Sequence, residues 1–143
     1  YASGWAIERE GRDAATSEML ALVEGDPEKI TAKTVFDAAA RGDKRAIGII
    51  RRAGDILGEM LAIFLQFYLP ERVVFCGKLV TGNIFYFDAV LDAIRRKMPQ
   101  SRMDKLTYEL SALDEYSVAV ACTHLFAHNL LHAPLDVLEG VSL

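Results

Sequence analysis

The chain has 143 residues, of which 52% are hydrophobic and 25% charged, which is the size and composition of one folded domain and excludes a disordered or collagen-like polypeptide. Its formal net charge of −4 provides no basic field for nucleic acid, and this argues against direct contact between this chain and DNA. The longest uncharged run, residues 60–70, is far shorter than the ~20 residues that a membrane-spanning helix needs.

Two cysteines, Cys76 and Cys122, are too few for a disulfide scaffold. Both lie in apolar runs, which predicts reduced, buried thiols and a cytoplasmic location. No basic and apolar signal segment opens the chain. Because the first residue is Tyr1 rather than Met, we expect residues 1–143 to be a single domain cut from a longer protein.

The first 41 residues predict two helices. Apolar residues among charges, with no proline, indicate a helix over residues 3–23 that ends before Gly25. Thr31 has the side chain of an N-cap and predicts a second, shorter helix that continues to about residue 41.

A third helix, residues 44–69, is the strongest local pattern of the chain, because apolar side chains recur along it at helical spacing. Charges stop after Glu59, so its second half is expected to be buried nearly all round. Gly54 and Gly58 are four residues apart and share one face, where another backbone has room to come close.

The rest of the chain alternates strands with helices. An apolar, β-branched run predicts a strand at residues 72–76 that is buried on both faces, and residues 105–110 predict a half-exposed strand. A helix over residues 83–98 separates them, and a last helix over residues 115–131 follows with Asp114 as its N-cap. The predicted fold class is therefore α/β, with three helices followed by β-α-β-α and a parallel pair of strands.

Lys78 follows a glycine at the end of a strand but does not form a phosphate-binding loop of the Walker type. That motif needs a glycine and a Ser or Thr at the positions that Arg72 and Leu79 occupy. The local sequence also contains no recognisable Ser-His-Asp or Cys-His arrangement. The residues by themselves show no complete active site.

The three histidines of the chain, His124, His128 and His132, follow one another at intervals of four. On a helix they form one stripe, a geometry that can hold zinc or another divalent ion. The same spacing suits an ordinary, partly exposed face near a helix end, where histidine interacts favourably with the helix dipole. Both interpretations stay open.

Several stretches, taken in their order and spacing, resemble the ROK family of sugar kinases and sugar-responsive repressors. Residues 30–43 resemble the segment before the family's long helix, and residues 70–79 resemble its proline, glutamate, apolar strand and glycine-rich turn. Residues 82–94 fit the segment after that turn, and residues 1–4 look like the helix that follows the family's zinc-binding cysteine loop. The resemblance extends to about residue 126.

The resemblance implies an actin-like, ribonuclease H-like α/β fold with two lobes, of which this chain would form part of the C-terminal lobe. The phosphate-binding turn, the catalytic aspartate and the zinc loop would belong to a missing upstream part, so the chain itself would supply no catalytic and no metal-binding residue. ATP and Mg²⁺ are the implied cofactors of a kinase parent, whereas no cofactor is expected for the fragment alone. A hexose or amino sugar is the implied ligand of the parent. Gly77, Lys78, Leu79 and Ser117 would form the wall beside the nucleotide.

Three functions are compatible with that resemblance: a kinase, a repressor domain and a degenerate protein with neither activity. The first is an ATP-dependent sugar kinase, active only with the missing lobe. The second is the sugar-sensing, dimerising domain of a repressor. Two features favour it: the family's kinases usually have three glycines at the positions of Cys76, Gly77 and Lys78, and residues 130–143 extend beyond the usual kinase end. The third is a degenerate remnant that only packs or dimerises.

A homodimer is expected in either case, because residues 61–69 and 125–138 contain more large apolar side chains than one small sheet covers. The helix at residues 115–131 and the residues after it are the expected contact, while residues 61–69 are expected to stay inside the core.

Overall fold

The computed structural model describes residues 2–111 and 117–132. The chain divides into two compact units, Tyr1–Ser111 and Ala112–Leu143. The first unit contains all of the described strands and all but one of the described helices.

Four α-helices precede the first strand: α1 (Gly4–Asp13), α2 (Ser17–Leu22), α3 (Ala32–Ala40) and α4 (Lys44–Tyr68). The prediction of one continuous helix over residues 3–23 is wrong, because α1 ends at Asp13 and Thr16 is the N-cap of a second helix. Its hydroxyl accepts a hydrogen bond from the N–H of Met19 and donates one to the carboxylate of Asp43, at the start of α4. A tertiary contact therefore interrupts a helix that the local pattern would continue.

The boundaries of α3 and α4 agree with the prediction. Thr31 is the N-cap of α3 in a reciprocal capping box with Thr34, and Asp43 caps α4 by accepting hydrogen bonds from the N–H groups of Arg45 and Ala46. At its other end α4 stops at Leu69, which adopts a left-handed conformation with φ of +48°, followed by Pro70.

The core of the first unit is the packing of α4 against α6 (Ile84–Lys97). A Cβ atom added to Gly54 would lie 2.5 Å from the carbonyl oxygen of Tyr86, and one added to Gly58 would lie 2.4 Å from that of Val90. The predicted close approach of another backbone at the two glycines is therefore confirmed. The Tyr86 hydroxyl donates a 2.8 Å hydrogen bond to the carbonyl of Ala2, which ties α6 to the amino terminus.

Strands β1 (Arg72–Phe75) and β2 (Thr107–Leu110) pair in parallel, with Arg72 opposite Thr107 and Phe75 opposite Leu110. The crossover between them holds two short helices, α5 (Lys78–Thr81) and α7 (Gln100–Met103), in addition to α6. The predicted parallel β-α-β order is confirmed. The final helix, α8 (Ser117–His132), belongs to the second unit, and the predicted N-cap Asp114 lies outside the described residues.

Strand β1 is not buried on both faces as predicted. Phe75 is buried and packs edge to face on Phe87 of α6, at 5.3 Å between ring centroids, whereas Val74 on the other face is 53% exposed. Within the described residues, the sheet has two strands only, and α6 covers one face of it. The apolar composition of the strand indicates that its side chains pack against other elements, but it does not identify those elements.

Two further expectations about burial are wrong. The second half of α4 exposes a stripe of apolar side chains, which we call the α4 stripe; it consists of Met60, Ile63, Phe64, Phe67 and Tyr68. Cys76 and Cys122 are both exposed rather than buried. No helix in residues 2–111 or 117–132 is long and apolar enough to cross a membrane.

Candidate functional site

The turn from β1 into α5 contains three of the four predicted nucleotide-facing residues, Gly77, Lys78 and Leu79. Gly77 has φ of +99° and ψ of 153°, a conformation that is almost restricted to glycine, and it redirects the chain from the strand into α5. Among residues 2–111 and 117–132, no atom lies within 4 Å of a Cβ atom added to Gly77, although Gly77 itself is half-buried.

The turn lies at the carboxyl edge of the parallel pair, where open α/β sheets bind their ligands. The N–H of Ser111, which directly follows β2, donates a 2.7 Å hydrogen bond to the carbonyl of Phe75 at the end of β1. This bond holds the carboxyl ends of the two strands side by side. The turn therefore lies at the edge of the sheet where α/β proteins commonly bind ligands.

The three residues predicted within the turn differ in what they present. Lys78 is exposed, and its neighbour Cys76 exposes a thiol on the other side of Gly77. Leu79 is half-buried and packs on the hydrophobic core, next to the buried Val80, so it anchors α5 rather than lining a surface. Of the three predicted residues in the turn, Lys78 is exposed, whereas Gly77 and Leu79 are half-buried.

Ser117, the fourth predicted wall residue, begins α8 in the second unit, and its side chain lies outside the described residues. The helix over the three histidines is confirmed, and His124 and His128 are exposed on it. The described residues contain no group of three His, Cys, Asp or Glu side chains that could hold a metal ion. The side chain of His132 lies outside the described residues, so both interpretations of the histidine stripe stay open.

Sequence reasoning missed a cavity at the opposite edge of the sheet, where the carboxyl ends of α4 and α6 meet α7 and the start of β2. Its lining comes from four segments that are distant in the sequence, so no local motif marks it. The one local signal is a pair of basic residues, Arg102 and Lys105, directly before β2.

A model of the ROK family matches residues 1–119. The chain belongs to the ROK family. The predicted resemblance is thereby confirmed, while the assignment to the C-terminal lobe stays a prediction.

The curated ROK relatives include both enzymes and regulators. The chain is 38% identical over 86 residues to a glucokinase of Thermotoga maritima, a match that covers 60% of the chain and 27% of the glucokinase. It is 28% identical over 87 residues to the DNA-binding transcriptional dual regulator NagC of Escherichia coli K12, covering 61% of the chain and 21% of NagC. The chain thus spans about a quarter of the length of these relatives.

Solved structures of ROK proteins share the fold. A ROK glucokinase from Streptomyces griseus, in complex with glucose and AMPPNP, aligns with a TM-score of 0.67 at 23% identity over 81% of this chain and 39% of the glucokinase. A ROK transcriptional regulator described as a homologue of the E. coli MLC protein aligns with a TM-score of 0.61 at 24% identity, over 76% of this chain and 27% of the regulator. The ROK fold is shared by kinases and regulators, so the fold does not distinguish between the two activities.

Proposed function

We propose that the chain is the C-terminal part of a ROK sugar kinase, in which the β1–α5 turn forms part of the wall that faces the nucleotide. The observation that carries this proposal is the backbone of Gly77, which adopts a conformation almost restricted to glycine at the carboxyl edge of a parallel pair of strands. The identity of 38% to a glucokinase, against 28% to NagC, supports the kinase reading.

Within the turn, Gly77 is better suited to contact with a nucleotide than Lys78 is. Gly77 leaves room for close approach of a ligand, while Lys78 offers a cation to a phosphate group but its side chain also occupies space. ATP would bring the phosphoryl group that is transferred. Mg²⁺ would be held in part by the nucleotide phosphates, because this ion usually takes only one or two protein carboxylates in such sites.

The chain by itself is expected to transfer no phosphate. Phosphoryl transfer needs the phosphate donor, a metal and a base in one geometry, and we place the base in the upstream lobe, together with the hexose or amino sugar. We expect the chain alone to bind ATP weakly or not at all, because one turn supplies only a small part of a nucleotide site. A cytoplasmic location stays a prediction.

The alternative function is the sugar-sensing, dimerising domain of a ROK repressor without kinase activity. The specific observation in its favour is that the exposed side chains of Cys76 and Lys78 flank Gly77, where the kinases of the family usually have glycines. Two added side chains reduce the room for a nucleotide beside the turn. In this alternative the turn serves the fold, and the DNA-binding module is part of a longer protein.

The experiment that separates the two functions is a chimera. The region of Thermotoga maritima glucokinase that matches this chain is replaced by the corresponding residues of the chain, and ATP-dependent phosphorylation of glucose is measured. We expect activity with a raised KM for ATP, because the Lys78 side chain occupies space near the nucleotide. Restoring glycine with the double substitution Cys76→Gly and Lys78→Gly should lower the KM for ATP and leave the KM for glucose unchanged.

The matched control is Arg45→Gln, which removes an exposed cation at the far end of α4 and should change neither KM. A chimera that folds, binds glucose and carries the restored glycines, but phosphorylates nothing, would remove the kinase proposal in favour of the repressor domain.

A further inference from the structure

The first unit contains an open cavity of about 190 Å³ at the amino edge of the sheet, opposite the β1–α5 turn. Its walls are apolar and come from the ends of α4 and α6 and from the start of β2; they are formed by Leu65, Leu69, Pro70, Met98 and Leu106. Leu65, Met98 and Leu106 belong to the buried core, so the floor of the cavity is part of the fixed interior.

The wall formed by residues 69–71 is fixed in place by its backbone conformation and by hydrogen bonds to β2. Leu69 has φ of +48°, which is uncommon for a residue other than glycine, and Pro70 restricts the chain after it. The carbonyl of Glu71 accepts hydrogen bonds from both the N–H and the hydroxyl of Thr107, at 2.9 and 3.0 Å. The segment that closes the cavity is therefore fixed to β2 before any ligand arrives.

The rim of the cavity carries two cations without a carboxylate partner in the described part of the chain. Arg102 and Lys105 line the cavity, both are exposed, and neither forms an ion pair or a side-chain hydrogen bond there. The basic residues that end α6 behave differently, because each has an acidic partner: Arg95 pairs with Asp92, Arg96 with Asp55, and Lys97 with Glu59. The one acidic residue in the cavity lining is Glu71, so the rim has a net charge of +1.

We propose that this cavity binds a small organic monoanion with an apolar body, such as an aromatic or branched aliphatic carboxylate. A cavity of 150 Å³ lined by apolar side chains is known to accept benzene, so one of about 190 Å³ has room for a body of that size. The apolar body would be desolvated against Leu65, Met98 and Leu106, while the carboxylate would lie at the rim between Arg102 and Lys105.

This site is separate from the proposed nucleotide wall. Glu71 directly precedes β1, and Lys105 and Leu106 directly precede β2, so the cavity lies at the amino ends of both strands. The β1–α5 turn lies at the carboxyl ends. The proposal does not depend on whether the parent protein is a kinase or a repressor.

The test is an NMR titration of the 143-residue chain with benzoate. Two controls are used: benzyl alcohol, an uncharged ligand of similar shape, and inorganic phosphate, an anion without an apolar body. We expect benzoate to shift the methyl resonances of Leu65, Met98 and Leu106, and to bind about fivefold or more tightly than benzyl alcohol. Phosphate alone should leave those methyl resonances unchanged. Equal binding of benzoate and benzyl alcohol, or no shift of the wall methyl groups by benzoate, would overturn the proposal.

Variants at the exposed rim test the role of charge without disturbing the buried core, so the protein should still fold. Arg102→Gln and Lys105→Gln should each weaken benzoate binding several-fold, whereas Glu71→Gln should strengthen it, because it removes the opposing charge. Arg45→Gln, a loss of the same charge far along α4, is the matched control and should have no effect. Unchanged affinity in both Arg102→Gln and Lys105→Gln would contradict an anion at this rim.

Discussion

Asp43 connects the start of α4 to the start of α2 and shows how one side chain determines two helix boundaries. Its carboxylate accepts hydrogen bonds from the N–H groups of Arg45 and Ala46 and from the hydroxyl of Thr16. Partial burial raises the pKa of this carboxyl, but the hydrogen bonds from Thr16, Ala46 and Arg45 outweigh that effect, so the pKa lies below its usual value of 3.8. The charged form is therefore the one that stabilises the fold.

The exchange Asp43→Asn should lower the free energy of unfolding by about 0.5–1 kcal/mol at neutral pH, because the cap is kept but its charge is lost. A lowered folded-state pKa contributes stability that is complete above pH 3.8 and is lost as the pH falls through the folded value. The difference between the two proteins should therefore shrink below pH 3.8 in urea unfolding measured at several pH values. Asp88→Asn, at an exposed position of α6, is the control; a difference that persists in acid would contradict this account of Asp43.

At the scale of elements, α4 was predicted to within one residue, because its apolar period, its glycine pair and its N-cap all lie in its own sequence. The break at Thr16 could not be predicted, since it depends on Asp43, which lies 27 positions away. The exposure of Val74 on β1 and of Phe67 on α4 was also missed, because a hydrophobic pattern identifies side chains that need cover but not the elements that provide it.

Two glycines of α4 provide a matched pair for testing its packing on α6. Gly58→Ala should destabilise the protein by about 1–3 kcal/mol, because the new methyl group would lie 2.6 Å from the Cβ of Ala93 as well as against the Val90 carbonyl. Gly48→Ala, where nothing lies within 4 Å, should stabilise it by about 0.5–1 kcal/mol through helix propensity. Thermal or urea unfolding measures both, and the same sign for the two variants would contradict the packing described.

At the scale of the whole molecule, the site could be predicted only in part. The β1–α5 turn resembles the family's turn at Gly77, and the structure places it at the carboxyl edge of the sheet with Lys78 exposed. The cavity at the other edge could not be predicted, because its wall combines residues from α4, α6 and the segments before both strands. A site composed of distant residues has no local signature.

We expect the chain to associate as a homodimer through α8, where Val120, Leu125 and Phe126 are all exposed. Light scattering at several concentrations measures this, and the double exchange Leu125→Glu and Phe126→Glu should leave a monomer. Trp5→Glu is the control, because Trp5 is 66% exposed on α1, outside the predicted contact, and should leave the dimer intact. A monomer at every concentration would contradict the expectation.

The measurement that tests the central claim most directly is an NMR titration of the chain with Mg-ATP, followed at the backbone amides. If the β1–α5 turn is part of a nucleotide wall, binding should be weak and the shifts should centre on Gly77 and Lys78, and Gly77→Ala should abolish them because the turn conformation is strained for alanine. Binding at low micromolar concentration, or shifts on other surfaces with Gly77 and Lys78 unchanged, would contradict the account.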